Sequence, residues 1–145
     1  MRSINPATGE LIAEHPELKE RDVETKLRLA SAAFASYRRT TFAKRAEWMR
    51  RTAMLLRMRK SSYAEIMTRE MGKPISAAES EVEKCAWVCE FYADQAELFL
   101  SDQVIDTDAG RSFVAFQPLG PVLAVMPWNF PFWQVLRYAY PALMG

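Results

Sequence analysis

Two polar residues near the end of this 145-residue chain are of types that can do chemistry. One is Asn129, and the other is Arg137, eight residues later. A side-chain amide can donate a hydrogen bond to negative charge that develops on a reacting oxygen, although asparagine is also a common helix cap. A guanidinium group can meet a carboxylate with two parallel hydrogen bonds, although most helix arginines are simply solvated. The residue types leave both roles open, so the surrounding elements must decide.

The sequence around these residues, GPVLAVMPWNFPFWQVLR at positions 120–137, predicts a strand, a tight loop and a helix. The five apolar residues at 122–126 do not alternate with polar ones, which is typical of a strand buried on both faces of a parallel sheet. Pro127 ends such a strand because it has no N–H for the ladder, and Pro131 suits the first turn of a helix. We therefore expect the loop 127–130 at the carboxyl end of a parallel strand, where open α/β sheets bind ligands.

The Pro-Trp-Asn-Phe-Pro sequence at positions 127–131 resembles the signature of aldehyde dehydrogenases, in the first strand–loop–helix of their cofactor domain. Residues 70–74, Glu-Met-Gly-Lys-Pro, followed by Glu79, Glu81 and Val82, also match the N-terminal region of that family. The resemblance covers essentially the whole chain and is strongest to the succinate-semialdehyde dehydrogenase branch. It implies an α/β fold: the N-terminal part of a Rossmann-like cofactor domain, mostly helical here, with a hairpin and the first parallel strand.

The resemblance also implies an activity and a set of site residues. Members of the family oxidise an aldehyde with NAD or NADP, after a cysteine thiolate has attacked the carbonyl carbon. By correspondence, Asn129 would stabilise the oxyanion, and Met126, Pro127 and Trp128, together with Asn129, would lie against the nicotinamide. Arg137 would bind the far carboxylate of a semialdehyde. The chain has no G-x-G-x-x-G sequence, so the cofactor assignment depends on the resemblance alone.

No second catalytic or metal-binding set is predicted. His15 is the only histidine, which excludes a His-based metal site and a Ser-His-Asp triad. Cys85 and Cys89 lie on an apolar helix stripe and are interpreted as small core residues. They do not match the family's nucleophile, which would fall beyond Gly145.

The chain divides by sequence into three parts: an N-terminal arm with the helical part of the cofactor domain (1–101), a hairpin of oligomerisation type (102–118), and a truncated strand–loop–helix (119–145). We expect an incomplete enzyme, because a buried parallel strand needs parallel neighbours. We expect it to be inactive alone, because the nucleophile that the resemblance implies would fall beyond Gly145. A second interpretation is a non-catalytic assembly remnant, in which the hairpin pairs with a sibling or full-length subunit, as the family's hairpin does in homo-oligomers.

Four helices are predicted before the strand from apolar residues three and four apart. The first is expected to begin at an Asp22 N-cap and the second near Thr41. Capping-box patterns at 62–65 and 76–79 predict the starts of the third and fourth, and Gly72 is expected to stop the third. The fourth helix is apolar on two sides, which predicts that it is sandwiched between layers; its second side is formed by Trp87, Phe91 and Leu98.

Short apolar pieces around turn residues predict two hairpins. The first surrounds residues 5–9, and the second joins strands at 103–107 and 111–117.

Composition excludes several classes of partner. The net charge is +1, half of the residues are hydrophobic and 26% are charged. The overall charge of the chain therefore gives no reason to expect binding to nucleic acid or to membranes. The locally basic stretch 38–60 spreads its charges around a helix instead of forming a stripe that could follow phosphates. No apolar run approaches the ~20 residues of a membrane span, and the N-terminus lacks the apolar core of a signal peptide. We expect a cytoplasmic protein.

Overall fold

The computed structural model describes all 145 residues as five helices and two small antiparallel hairpins. The helices are α1 (Glu20–Tyr37), α2 (Phe42–Met58), α3 (Lys60–Met71), α4 (Ile75–Phe99) and α5 (Pro131–Met144). The first hairpin pairs β1 (Arg2–Ile4) with β2 (Leu11–Glu14), and the second pairs β3 (Gln103–Ile105) with β4 (Ser112–Val114). Both hairpins confirm the sequence prediction, although β3 and β4 are shorter than expected.

The core lies around α4, against which α2, α3 and α5 pack. Many of its buried side chains are small, which lets the helix backbones approach closely. Burying the larger ones, such as Met67 and Val82, contributes about 1.5–3 kcal/mol each. The buried apolar residues are Ala46, Met49, Ala53, Leu56, Ala64, Met67, Ala78, Val82, Cys85, Ala86, Val88, Cys89, Ala93, Ala96, Tyr140 and Met144.

Two of the predicted helix ends are confirmed. The Thr41 hydroxyl accepts a hydrogen bond from the Lys44 N–H at 3.2 Å and caps α2. Gly72 ends α3 at φ 72°, a left-handed conformation that favours glycine because it has no Cβ.

Three predicted helix starts are wrong by a few residues. α1 begins before Asp22, whose carboxylate instead accepts the Lys19 N–H at 3.1 Å from inside the first turn. α3 continues almost directly from α2 through Arg59, so the helix needs no restart at 62–65. α4 begins after Pro74, whose φ of −54° already suits helix entry, which places 76–79 within the helix.

Residues 122–126 do not form the predicted buried strand. Both sheets are two-stranded hairpins, and Leu123 and Val125 are 88% and 86% exposed. The strand prediction is wrong for this chain because no other strand lies beside the segment to satisfy its backbone groups.

The second apolar side of α4 is likewise exposed, so the helix is not sandwiched within this chain. Trp87 and Leu98 are 58% and 68% exposed. The Trp87 and Phe91 ring centroids lie 6.1 Å apart, and those of Phe91 and Phe99 lie 6.0 Å apart. The three rings therefore lie beside one another on the exposed side of α4.

None of the helices combines the length and the apolar character that crossing a membrane requires. The division of the chain at residues 101 and 118 stays a prediction.

Candidate functional site

The loop 127–130 leads directly into α5, whose first residue is Pro131, as predicted. Phe130 holds the N-cap position, and no side chain within the loop caps the helix. The Asn129 side chain is exposed and makes no hydrogen bond. It is therefore not used as a helix cap, and its amide is free to donate to another group.

The first turn of α5 is capped from α4, by Glu81. The Phe132 and Trp133 N–H groups donate to the same carboxylate oxygen of Glu81 at 3.0 and 2.9 Å. The first N–H groups of a helix have no partner within the helix, and the positive end of the helix dipole attracts a carboxylate. Glu81 is only 5% exposed, so this interaction is shielded from water.

Lys73 supplies the charge that makes a buried Glu81 tolerable. Its ammonium group donates to the second carboxylate oxygen of Glu81, and Lys73 is itself only 9% exposed. A buried charge is tolerated when it is paired and its remaining lone pairs are bonded, and Glu81 meets both conditions. The Lys73 Nζ atom also lies 3.8 Å from the centroid of the Phe130 ring, within cation–π range.

Two further contacts hold the start of α5 against its neighbours. The Lys84 Nζ atom lies 3.9 Å from the centroid of the Trp133 ring. The Phe132 and Tyr63 ring centroids lie 5.1 Å apart, which joins α5 to α3. The helix that follows the loop is thus fixed in direction by α3 and α4 together.

The last turn of α5 is held by the first two helices. Arg45 is buried and donates to the Met144 carbonyl at 2.8 Å and to the Tyr37 carbonyl at 3.2 Å. The Tyr37 hydroxyl donates to the Leu143 carbonyl at 2.9 Å, and partial burial raises the pKa of Tyr37, against the opposing charge of Arg45. A cation at this end complements the negative end of the helix dipole.

Pro141 lies inside α5, between these two sets of contacts. Because proline has no N–H, the carbonyl of Arg137 loses its usual partner four residues on.

Arg137 lies on α5 about 9 Å beyond Pro131 along the helix axis, at 1.5 Å per residue. Its side chain is exposed and forms no ion pair. The structure thus places Arg137 on the helix that follows the loop, but it does not bring a defined partner to its side chain. Carboxylate binding by Arg137 stays a prediction.

The backbone of residues 126–129 is free to contact another molecule. None of these residues takes part in a backbone hydrogen bond. Pro127 and Trp128 are exposed, and Met126 is half-buried. Contact of these residues with a nicotinamide ring stays a prediction, and no glycine-rich turn in the chain suits the phosphates of the cofactor.

The two cysteines are core residues, as the sequence predicted, and both are fully buried. Burial, with a smaller contribution from the Glu81 charge, raises the pKa of Cys85 to about 12. Burial raises the pKa of Cys89 to about 11, and its thiol donates to the Met49 carbonyl at 2.9 Å. Neither is a thiolate at neutral pH, which is the form that acts as a nucleophile.

Other surface features do not coincide with the predicted site. A hollow of about 410 Å³ lies beside the first hairpin, and another of about 270 Å³ lies between β2 and α3. Neither is lined by any residue of 126–129 or by Arg137. The structure contains no group of three His, Cys, Asp or Glu side chains that could hold a metal ion.

The role of Glu81 was missed by sequence reasoning, although a signal for it was present. Glu81 lies three residues after Ala78 and four before Cys85, on the buried stripe of α4. Arg45 occupies the same kind of position on α2, four residues before Met49. A charged residue on an apolar stripe is rarely buried without a partner, so such positions indicate a buried ion pair or a capped backbone.

Comparison with known proteins decides the family. The model of the aldehyde dehydrogenase family matches residues 1–145. The chain belongs to this family. It is 54% identical over 143 residues to a probable NADP(+) succinate-semialdehyde dehydrogenase of Synechocystis sp., and 45% identical over 146 residues to the NADP(+) succinate-semialdehyde dehydrogenase 1 of Mycobacterium tuberculosis. In both comparisons 99% of this chain is matched to 32% of the relative.

The fold is confirmed by a solved relative. The succinic semialdehyde dehydrogenase of Streptococcus pyogenes, in complex with NADP+ as the cofactor, superposes with a TM-score of 0.93 at 33% identity. The match covers 99% of this chain and 32% of that one. The chain therefore has the architecture of one part of an aldehyde dehydrogenase, and it spans about a third of the length of the relatives it matches.

Proposed function

We propose that this chain forms part of an NADP-dependent aldehyde dehydrogenase that oxidises succinate semialdehyde. The observation that carries the proposal is the free, exposed Asn129 amide, placed next to a helix turn that Glu81 fixes from α4. The names of the relatives from Synechocystis and Mycobacterium support NADP as acceptor and succinate semialdehyde as substrate.

Each predicted residue has a separate task in this proposal. The Asn129 amide donates to the oxygen that becomes negatively charged when the aldehyde carbon is attacked. Residues 126–128, with Asn129, contact the nicotinamide, which accepts a hydride when the cofactor is bound. Arg137 holds the far carboxylate of the substrate by two parallel hydrogen bonds.

The 145 residues alone are expected to form no NADPH from succinate semialdehyde and NADP+, because neither buried thiol can act as the nucleophile. A chimaera in which they replace the matching third of the Synechocystis relative should be active, since the two sequences are 54% identical over this length. Both proteins are assayed by NADPH absorbance. An inactive but folded chimaera, or activity of the chain alone, would contradict the proposal.

In that chimaera, Asn129→Ala is expected to lower kcat by about 10²–10³-fold with little change in the KM for the aldehyde, because the donor acts only on the developing oxyanion. Gln117→Ala is the matched control, since Gln117 is another exposed side-chain amide outside the helices and strands. A rise in KM with kcat unchanged would assign Asn129 to binding of the substrate ground state instead.

Arg137→Ala is expected to lower kcat/KM for succinate semialdehyde by roughly 10–100-fold, because a hydrogen bond to a charged group contributes about 1.5–3 kcal/mol. A neutral aldehyde of similar length should be affected far less. Arg51→Ala, which removes another exposed helix arginine, is the control. Equal losses for the charged and neutral aldehydes would rule out carboxylate binding.

A second candidate function, assembly without catalysis, is favoured by the exposed hairpin β3–β4. Val104 is 77% exposed, and Phe113 and Val114 are also exposed on the paired strand. In this interpretation the hairpin pairs with a second copy or with a related subunit. A discrete dimer in sedimentation, converted to monomer by Val104→Lys, would support it, and a monomer at all concentrations would oppose it. The cytoplasmic location expected from the sequence stays a prediction.

A further inference from the structure

The buried pair formed by Glu81 and Lys73 reaches both sides of the junction between the loop 127–130 and α5. Glu81 binds the helix side through the Phe132 and Trp133 N–H groups. Lys73 contacts the loop side through the ring of Phe130, the residue next to Asn129. The two side chains are joined to each other by a direct hydrogen bond.

This arrangement constrains rotation as well as position. Two N–H groups on one carboxylate oxygen fix the direction of the first turn, since charge-assisted hydrogen bonds are directional and about twice as strong as neutral ones. A cation over the Phe130 ring then restricts the residue that links this turn to Asn129. Asn129 has no hydrogen bond of its own that could hold it, so its orientation depends on the backbone on its C-terminal side.

We propose that Glu81 and Lys73 together are positioning residues for Asn129, which they orient through the start of α5 and the Phe130 ring. This inference rests on the proposed function, in which the Asn129 amide must face a developing oxyanion. A displacement of about 1 Å at such a donor is enough to reduce its effect strongly. The pair acts through the backbone and contacts neither substrate nor cofactor.

The test follows the resonances of Asn129 in the ¹⁵N-labelled 145-residue chain, without any assay of activity. Glu81→Gln keeps the size of the side chain but removes the charge that binds Lys73 and the helix end. The Phe132 and Trp133 amides should exchange with solvent about tenfold faster, as for the loss of about 1.4 kcal/mol of hydrogen bonding. The backbone amide signal of Asn129 should shift and its order parameter should fall, because the backbone at the junction of loop and helix becomes more mobile.

Two further variants separate positioning from general stability. Glu83→Gln removes an exposed carboxylate of α4 that pairs with Arg57, and it should leave Asn129 unchanged. Lys73→Gln replaces the ammonium group by a neutral amide, which can still donate to Glu81 but removes the cation from the Phe130 ring. It should change the Asn129 signals while the Phe132 and Trp133 amides stay protected. Should Glu81→Gln fail to fold, as judged by circular dichroism, Lys73→Gln decides.

Unchanged Asn129 signals in both folded variants, or in a folded Lys73→Gln when Glu81→Gln unfolds, would overturn the proposal, because the pair would then support only the helix. The proposed function fails separately, by the absence of a kcat loss in Asn129→Ala. A failure of the positioning proposal can therefore be distinguished from a failure of the proposed function.

Discussion

At the scale of single residues, the most informative side chains are charged ones at buried positions. Glu81 and Arg45 both lie on apolar helix stripes, and each is bonded to the backbone of α5. The apolar spacing predicted that these positions face the core. It did not predict which distant backbone groups they meet there, because those partners lie 51 and 99 residues away in sequence.

The buried thiols give a prediction at this scale. With their pKa raised by burial to about 12 and about 11, less than roughly a thousandth of each thiol of Cys85 and Cys89 is ionised at pH 8. A disulfide reagent should therefore label neither cysteine in the folded chain within minutes, and should label both in denaturant. Ser101→Cys provides an exposed thiol as a positive control. Rapid labelling of Cys85 or Cys89 without denaturant would contradict their core assignment.

At the scale of elements, α2 and α4 are joined along their exposed edge by ion pairs as well as by their buried faces. Arg57 donates to Glu83 at 2.7 Å and to both carboxylate oxygens of Glu90. Its hydrogen bonds lower the pKa of Glu90 below the ordinary carboxyl value. Farther along, Arg50 donates to Asp94 at 2.6 Å. These pairs lie along one edge of the contact between the two helices.

The lowered pKa of Glu90 predicts a small pH-dependent contribution to stability. A carboxyl whose pKa is lower in the folded state stabilises above its ordinary pKa, and the contribution is lost as the pH falls through the lowered value. Because the two side chains are 38% and 41% exposed, solvent screening limits this to about 0.5 kcal/mol. Denaturant unfolding should show Glu90→Gln less stable than the unmodified chain by this amount at pH 7, and the difference should vanish near pH 3.

Glu97→Gln, on the same helix and without an ion pair, is the control and should be neutral at both pH values. A Glu90→Gln difference that persists at low pH would show that side-chain packing, and not charge, is responsible.

At the scale of the whole molecule, the chain combines a packed helical core with an exposed apolar segment. Leu119 is fully exposed and Leu123 is 88% exposed, and residues 121–127 belong to no helix or strand. Apolar segments with unpaired backbone groups promote aggregation. The second apolar side of α4, which includes Trp87, is also exposed.

Leu123→Lys is therefore expected to raise the soluble yield of the chain at least about twofold without changing its thermal unfolding midpoint, because the site is exposed and a charge interrupts the apolar run. Ser101→Lys adds the same charge outside the segment. Soluble protein after centrifugation is the measurement. An equal gain from both substitutions would assign the effect to net charge alone.

Local sequence patterns predicted the helices, the two hairpins, the start of α2 at Thr41, the end of α3 at Gly72 and Pro131 at the start of α5. Each of these features depends on residues that are neighbours in sequence. The failures have a different cause. The strand at 122–126 and the sandwiched α4 require partners that this chain does not place beside them. For the candidate site, the sequence predicted the loop and singled out Asn129. It did not predict the Glu81 and Lys73 contacts at the start of α5, because these depend on tertiary packing.

Pro141 divides α5 into two parts, and each end of the helix is bonded to different neighbours. Upstream of the missing amide, Glu81 of α4 accepts the first N–H groups of the helix, and downstream Arg45 and Tyr37 of the first two helices donate to its last carbonyls. Because one backbone hydrogen bond is absent between these contacts, we expect α5 to bend most easily near Arg137. A disturbance at the C-terminal end of the helix would then reach Asn129 only in weakened form.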